Sequence, residues 1–265
     1  MIFTITHKIF EDSYLDRDHY IVLHVGRNSD CKNIYLRDDI GDNISEKNSS
    51  YCELTGLYWI WKNYESSDDE ITGIVHYRRY FTSVKDDILY TYFSVHASIL
   101  KYNEIEKALK KADIVLPKRE KIYRTIYEYY NDNHCIEDLN LTREAIKNLC
   151  PEYAPTFEKV MNEHYYFYGN MMICKRKLLN EYCSWLFPIL EYVEERTDLK
   201  KYDNKYQARV FGFLSERLIQ VWVEHEKLKV IEFPVFNTEQ KRMNFFTKTR
   251  NRIKHGIKMI NSRGE

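Results

Sequence analysis

The sequence predicts an α/β fold: a doubly wound, mainly parallel sheet with helical insertions and a C-terminal basic amphipathic helix. Three observations predict it. Short apolar runs alternate with longer segments of helical period, the pattern of strands joined by crossover helices. The chain has 265 residues, 44% of them hydrophobic, enough for one large α/β domain with a helical appendage. No internal repeat and no low-complexity linker divides it.

The elements follow in order. IFTIT (residues 2–6) reads as a first strand ending at His7-Lys8, and YIVLHV (20–25) as a second closed by Gly26. Residues 27–50 are polar and aperiodic, with turn chemistry at Gly41-Asp42-Asn43. Ser49 or Ser50 is then placed to cap a helix carrying Glu53 in its first turn. In YCELTGLYWIWKN, Leu54, Leu57, Tyr58 and Trp61 share one face, so this helix packs on a sheet. Residues 71–75 form a core strand, 101–111 a helix and 112–117 a further strand. Two or three polar helices occupy 122–164. YFYGNMMICKR (166–176) is a strand interrupted at Gly169-Asn170. Helices over 177–196 and 203–224 follow, and LKVIEFPV closes the body at Val235. The boundaries are a body over 1–238 and a tail over 239–265.

Formal charge is zero but unevenly spread. Residues 241–265 hold eight Lys/Arg and one Glu, leaving 32 basic and 39 acidic residues in the remainder. An acidic body excludes a uniformly basic nucleic-acid binder, so no nucleic-acid partner is expected. The tail is the part that meets something anionic. Within it Phe246, Thr249, Ile253, Ile257 and Ile260 recur at helical spacing among Arg242, Lys248, Arg250, Arg252, Lys254 and Lys258. A basic amphipathic helix of this kind lies on an anionic membrane surface. The alternatives are a helix docked on the acidic body, or a disordered end. Six scattered cysteines without a CxxC pair indicate a reducing compartment and no structural zinc. The N-terminus lacks a basic n-region, and no apolar run reaches the ~18 residues of a membrane span. The expected location is cytoplasmic, peripheral to the inner face of the membrane.

Ligands of open α/β sheets bind at the carboxyl ends of the strands. Three predicted strand ends are cationic: His7-Lys8, His76-Tyr77-Arg78-Arg79 and Lys118-Arg119. Arg presents a planar fork to phosphate oxygens, so such a crevice suits a nucleotide diphosphate. Adjacent residues of one strand point to opposite faces, which makes one of Arg78 and Arg79 a ligand and the other a buried structural pair. For Lys118-Arg119 the plainer reading is a solvated rim. No P-loop, GxGxxG, GxSxG, HExxH or close histidine pair is present. The single Asp-x-Asp, Asp16-Arg17-Asp18, follows no strand. No metal ligand set is therefore assigned, although Asp42 could hold a donor-bridged Mg²⁺ or Mn²⁺. Fixed guanidinium charge at Arg78-Arg79 takes over the neutralisation of a leaving diphosphate.

The candidate bases are Glu216 and a His134–Asp138 pair. For Glu216 the alternative is an ion pair within or across helices. Tyr168 offers a sugar-stacking face, and Asn170 can donate to and accept from sugar hydroxyls. Gly169 marks either close ligand approach or a bulge.

The blocks GDNISEKNSSYCELTGLYWIWKN, GIVHYRRYF, DIVLPKR, YGNMMICKR, YCSWLFPIL and RVFGFLSERL occur in this order. Over residues 1–236 the chain resembles the bacterial capsule and O-antigen glycosyltransferases long filed as a domain of unknown function, some of them galactofuranosyltransferases. The resemblance implies a GT-A-like fold, a UDP-sugar donor (UDP-galactofuranose in assigned members), inversion to a β-linkage, and a lipid-linked or growing polysaccharide acceptor. It carries no residue roles. On this expectation His7, Lys8, His76, Tyr77, Arg78 and Arg79 form the floor under the donor diphosphate. Asp42, Asn43, Lys47 and Asn48 form a loop over the nucleotide or sugar. The competing function is a non-catalytic membrane-associated partner in polysaccharide assembly.

Overall fold

A computed structural model describes residues 1–27, 34–84, 99–202 and 204–239. In chain order the strands are β1 (Ile2–Thr6), β2 (Tyr20–His24), β3 (Leu36–Arg37), β4 (Ile71–His76), β5 (Arg79–Phe81), β6 (Ile114–Pro117), β7 (Glu120–Lys121), β8 (Tyr165–Tyr166), β9 (Met172–Lys175), β10 (Val230–Phe233) and β11 (Val235–Asn237). The α-helices are α1 (Asn48–Tyr51), α2 (Leu54–Asn63), α3 (Tyr102–Leu109), α4 (Ile126–Asn133), α5 (Ile136–Leu149), α6 (Ala154–Met161), α7 (Arg176–Glu194) and α8 (Val210–His225).

The main sheet runs β10-β6-β9-β4-β1-β2-β3. Strands β4, β1, β2 and β3 are mutually parallel, as are β6 and β10. Only β9, within this path, runs antiparallel to its neighbours β4 and β6. The reason is local. β8 pairs with β7, just beyond the carboxyl end of β6. The chain therefore re-enters the sheet from that end, and β9 must run back. The turn between β8 and β9 is thereby held at the carboxyl edge, where ligands of such sheets bind.

Side-chain alternation divides the core into two layers. Phe3, Ile5, Leu23, Ile74, Leu116 and Cys174 pack with α2, α7 and α8. Ile2, Val22, Val75, Val115 and Ile173 face the opposite layer with Tyr80, Phe81, Ile105 and Ala108. Helix α8 is buried nearly all round from Val210 to Val223, as a helix inside a core must be. It alone carries Ser215, Glu216, Arg217 and Gln220 into the interior.

The structure revises several sequence expectations. The helix assigned after Ser49 or Ser50 is two helices, broken at Cys52, whose φ is 54°. Ser50 caps nothing: it lies inside α1 and donates to the Lys47 carbonyl at 3.1 Å. The strand ending at Val75 extends to His76, then reverses. Tyr77-Arg78 is a tight turn, and His76 pairs with Arg79 of β5. Arg78 and Arg79 are thus not neighbours on one strand, and the rule of opposite faces does not apply to them. Residues 166–176 are not one interrupted strand but parts of two sheets. The last strand is split at Pro234 into β10 and β11, and α8 begins at Val210. The basic tail helix lies outside the described residues.

Candidate active site

A cavity of about 760 Å³ opens at the carboxyl edge of β1, β2 and β4. Thr6 at the end of β1 with His7 just after it, Val25 after β2, and His76 to Arg79 at the β4–β5 hairpin line one side. The β8–β9 turn, Cys52-Glu53 between α1 and α2, and the first turns of α8 line the other.

The floor holds two carboxylates. Glu53 Oε1 accepts from Asn170 Nδ2 at 2.7 Å and lies 3.8 Å from His76 Nε2, too far for a hydrogen bond. Burial pushes the Glu53 carboxyl up, but His76, Asn170 and Arg209 outweigh it and leave it below the usual range. Burial also lowers the His76 pKa. The second carboxylate, Glu216, accepts from the Gly169 N–H at 3.0 Å and from Arg217 at 2.8 Å. Burial raises its pKa to about 7, against the pull of Arg217.

The turn between β8 and β9 joins these groups. Gly169 (φ 84°) and Asn170 (φ 21°) both adopt left-handed conformations, which favour Gly and Asn. The Gly169 amide reaches Glu216 while the Asn170 side chain reaches Glu53 and the Gly212 carbonyl. Gly169 thus marks a turn rather than a bulge.

Cations surround the floor. Arg79 stacks 4.9 Å from the Tyr168 ring and donates to the Tyr168 hydroxyl at 3.2 Å. A side chain at Gly169 would start only 3.5 Å from the Arg79 guanidinium. Arg209 Nε donates to Cys52 Sγ at 3.0 Å. At the rim, Lys8 and Arg78 both pair with the Glu239 carboxylate, at 3.2 and 3.1 Å. His7 packs edge-on against Tyr77; burial and then Lys8 and Arg78 lower its pKa.

Of the sequence-predicted residues, His7, Asn48, His76, Tyr77, Arg78, Arg79, His134, Tyr168, Asn170 and Glu216 line this one cavity. Lys8, Asp42, Asn43, Lys47 and Asp138 do not line it; Lys8 lies just outside, paired with Glu239. Asp42 accepts from Tyr58, and Asn43 from Ser45. Lys47 pairs with Glu194 at 2.7 Å. This loop is fastened to α2 and α7 rather than arched over the cavity. Asp138 is buried against Lys201, Tyr202 and Thr197. His134 instead faces Gln207 at 3.2 Å, so the His134–Asp138 pair does not form. Burial and then Arg217 lower the His134 pKa to about 4. Glu216 is ion-paired with Arg217, as its alternative reading had it, and it also lines the cavity. Neither Arg78 nor Arg79 is a buried structural pair. Arg119 pairs with Glu232 at 2.7 Å, a partly exposed rim contact.

Sequence reasoning missed Glu53 as a site residue, and also Cys52 and Arg209. Arg209 left no signal: it sits at the N-cap of α8, a boundary that the expected helix over 203–224 did not mark. Among the described residues no group of three or more His, Cys, Asp or Glu is arranged to hold a metal ion.

Sheet order and a cavity at the carboxyl edge define a GT-A-like α/β fold. The chain belongs to the family described as a domain of unknown function, DUF4422, whose profile matches residues 1–227. Among solved structures it is similar to the apo structure of the WbbM bifunctional glycosyltransferase, with 29% identity and a TM-score of 0.79. That match covers 90% of this chain and 45% of the other, so the chain spans less than half of the neighbour's length. No curated protein matches.

Proposed function

We propose that the chain is an inverting glycosyltransferase. It moves a hexose, galactofuranose in the reading the family resemblance favours, from a UDP-sugar to a lipid-linked or growing cell-surface polysaccharide. One observation carries the proposal: two buried carboxylates, Glu53 and Glu216, meet Arg79 and Arg209 in a single cavity at the carboxyl edge of the sheet. The similarity to a bifunctional glycosyltransferase supports the same reaction class.

The donor diphosphate lies against His7, Lys8, Arg78 and Arg79, in place of the Glu239 carboxylate. Glu216, with a pKa near working pH, takes the proton of the acceptor hydroxyl. The hydroxyl oxygen attacks the anomeric carbon as the bond from that carbon to the diphosphate oxygen breaks. UDP leaves with the bonding pair, and the anomeric configuration inverts. Arg79 stabilises the charge developing on the diphosphate. Glu53, bonded to Asn170, fixes the turn whose Gly169 amide holds Glu216. The transfer is proposed to need no metal, the guanidinium groups of Arg78 and Arg79 neutralising the diphosphate instead. Residues 241–265 are proposed to hold the enzyme on the anionic inner face of the cytoplasmic membrane, beside its acceptor.

The test is product analysis with a panel of UDP-sugars and a lipid-linked acceptor, with and without EDTA. A thermal shift with UDP runs beside it, because a ligand bound only by the folded state raises the melting temperature. Transfer that survives EDTA with inverted configuration is the expected result. No stabilisation by UDP would favour a non-catalytic assembly partner. Activity abolished by EDTA and restored by Mn²⁺ or Mg²⁺ would reject metal independence.

A further inference from the structure

Two ends of the cavity differ in chemistry. The rim at Lys8 and Arg78 is cationic. The end beneath α4 and the start of α8 is walled chiefly by aromatic and amide groups, Asn133, His134, Tyr206, Gln207 and Phe213, with Lys205 beside them. Tyr206 is 56% exposed. It is nonetheless held in place: its ring centroid lies 5.1 Å from Phe213, which in turn stacks on His134 at 4.0 Å. Beside these rings the Gln207 amide donates to the Asn133 carbonyl at 2.9 Å and faces His134 Nδ1 at 3.2 Å. A fixed aromatic face next to planar amides and an imidazole matches a sugar ring. Its C–H face packs on the aromatic rings while its hydroxyls need both donors and acceptors.

The placement relative to the floor adds to this. Phe213 and Glu216 both line the cavity from α8 and are three residues apart, so they are neighbours on one helix face. Arg209 spans the gap, 5.7 Å from both the Tyr206 and Phe213 rings and 3.0 Å from Cys52. Phe213 thus links the Tyr206 ring to the helix face that carries Glu216 into the cavity.

We propose that Tyr206, Gln207 and Phe213, with Asn133 and His134, form an acceptor subsite for an uncharged sugar ring stacked on Tyr206. The proposal rests on the glycosyltransferase reading, and names the residues that take its second substrate. Tyr168 and Asn170, expected as acceptor contacts, lie instead against Arg79 and Glu53.

The test uses the full chain with UDP present. Saturation-transfer NMR reads binding of methyl glycosides of galactofuranose, galactopyranose, glucose and N-acetylglucosamine at millimolar concentration. At least one should bind the wild type. Tyr206→Ala should weaken it by about tenfold or more, while Tyr206→Phe, which keeps the stacking face, should bind as the wild type does. UDP affinity should be unchanged in both, and circular dichroism should show intact folds, as the exposure of Tyr206 requires. Equal glycoside binding by Tyr206→Ala and wild type would overturn the subsite, as would no binding of any glycoside. Failure of the wild type to bind UDP would instead overturn the glycosyltransferase reading.

Discussion

At the scale of residues, the cavity turns on which charges are already spent. Arg79 faces the cavity over Gly169, and its contact within the protein is with Tyr168, a neutral partner. Arg79→Ala should cost the proposed transfer about 10²–10³-fold in rate while leaving the fold intact, read by turnover and circular dichroism. Lys8 and Arg78 are different, because Glu239 already pairs with both. An anionic donor must displace that carboxylate. Glu239→Gln should therefore tighten UDP binding, measured by calorimetry; an unchanged or weaker affinity would show that the pair does not compete. Glu216 supplies a pH signature. Its folded-state pKa, about 7, lies above the ordinary 4.5. The folded state thus holds a proton that the unfolded state releases as pH rises. Stability from this group is present below pH 4.5 and is lost as pH rises through 7, by up to about 3 kcal/mol. Glu216→Gln should remove that slope from urea midpoints taken between pH 4.5 and 7. It should also remove a rising limb near pH 7 in kcat/KM and lower the rate about 10²-fold or more.

At the scale of elements, periodicity located the longer buried strands and helices, because burial enforces it, while the short β3, β5 and β7 left no signal. The alternating core of β1, β4 and β9 and the striped face of α2 are direct products of packing. The breaks were less legible. Cys52 ends α1 at positive φ although nothing in its residue type demands it, and the turn at Tyr77-Arg78 contains neither Gly nor Pro. Both are imposed by partners distant in sequence: Arg209 on Cys52, and β11 pairing with β5. Gly73 is the reverse case, a residue whose reason appears only in the sheet. A Cβ there would lie 2.7 Å from Ile173 Cα and meet the Met172 carbonyl oxygen, both backbone atoms of β9. Gly73→Ala should therefore force β4 and β9 apart and destabilise the protein by about 2 kcal/mol or more, read by urea denaturation. Gly56 makes a control, since its close neighbours, at 2.9 Å, are the side-chain tips of Ile5 and Val25, which can shift.

At the scale of the whole molecule, a balanced formal charge conceals an acidic body and a basic end. Among the described residues no helix is long and apolar enough to cross a membrane, so the proposed membrane contact rests on the tail. Near an anionic leaflet each of its cations adds about 1 kcal/mol at most. A chain ended after residue 240 retains Glu239 and should keep UDP affinity. It should lose sedimentation with vesicles containing phosphatidylserine at low salt; equal sedimentation by both chains would remove the tail from the mechanism. The sequence by itself determined the α/β class, the element order, the cationic strand ends and the charge split, because each follows from local periodicity or composition. Only the tertiary structure decided that β9 runs antiparallel, that Glu53 and Arg209 join Glu216, and that Asp138 and the 42–47 loop are fastened elsewhere. Those outcomes depend on which distant residues share one cavity, and a cavity is made by packing, which no spacing along the chain encodes.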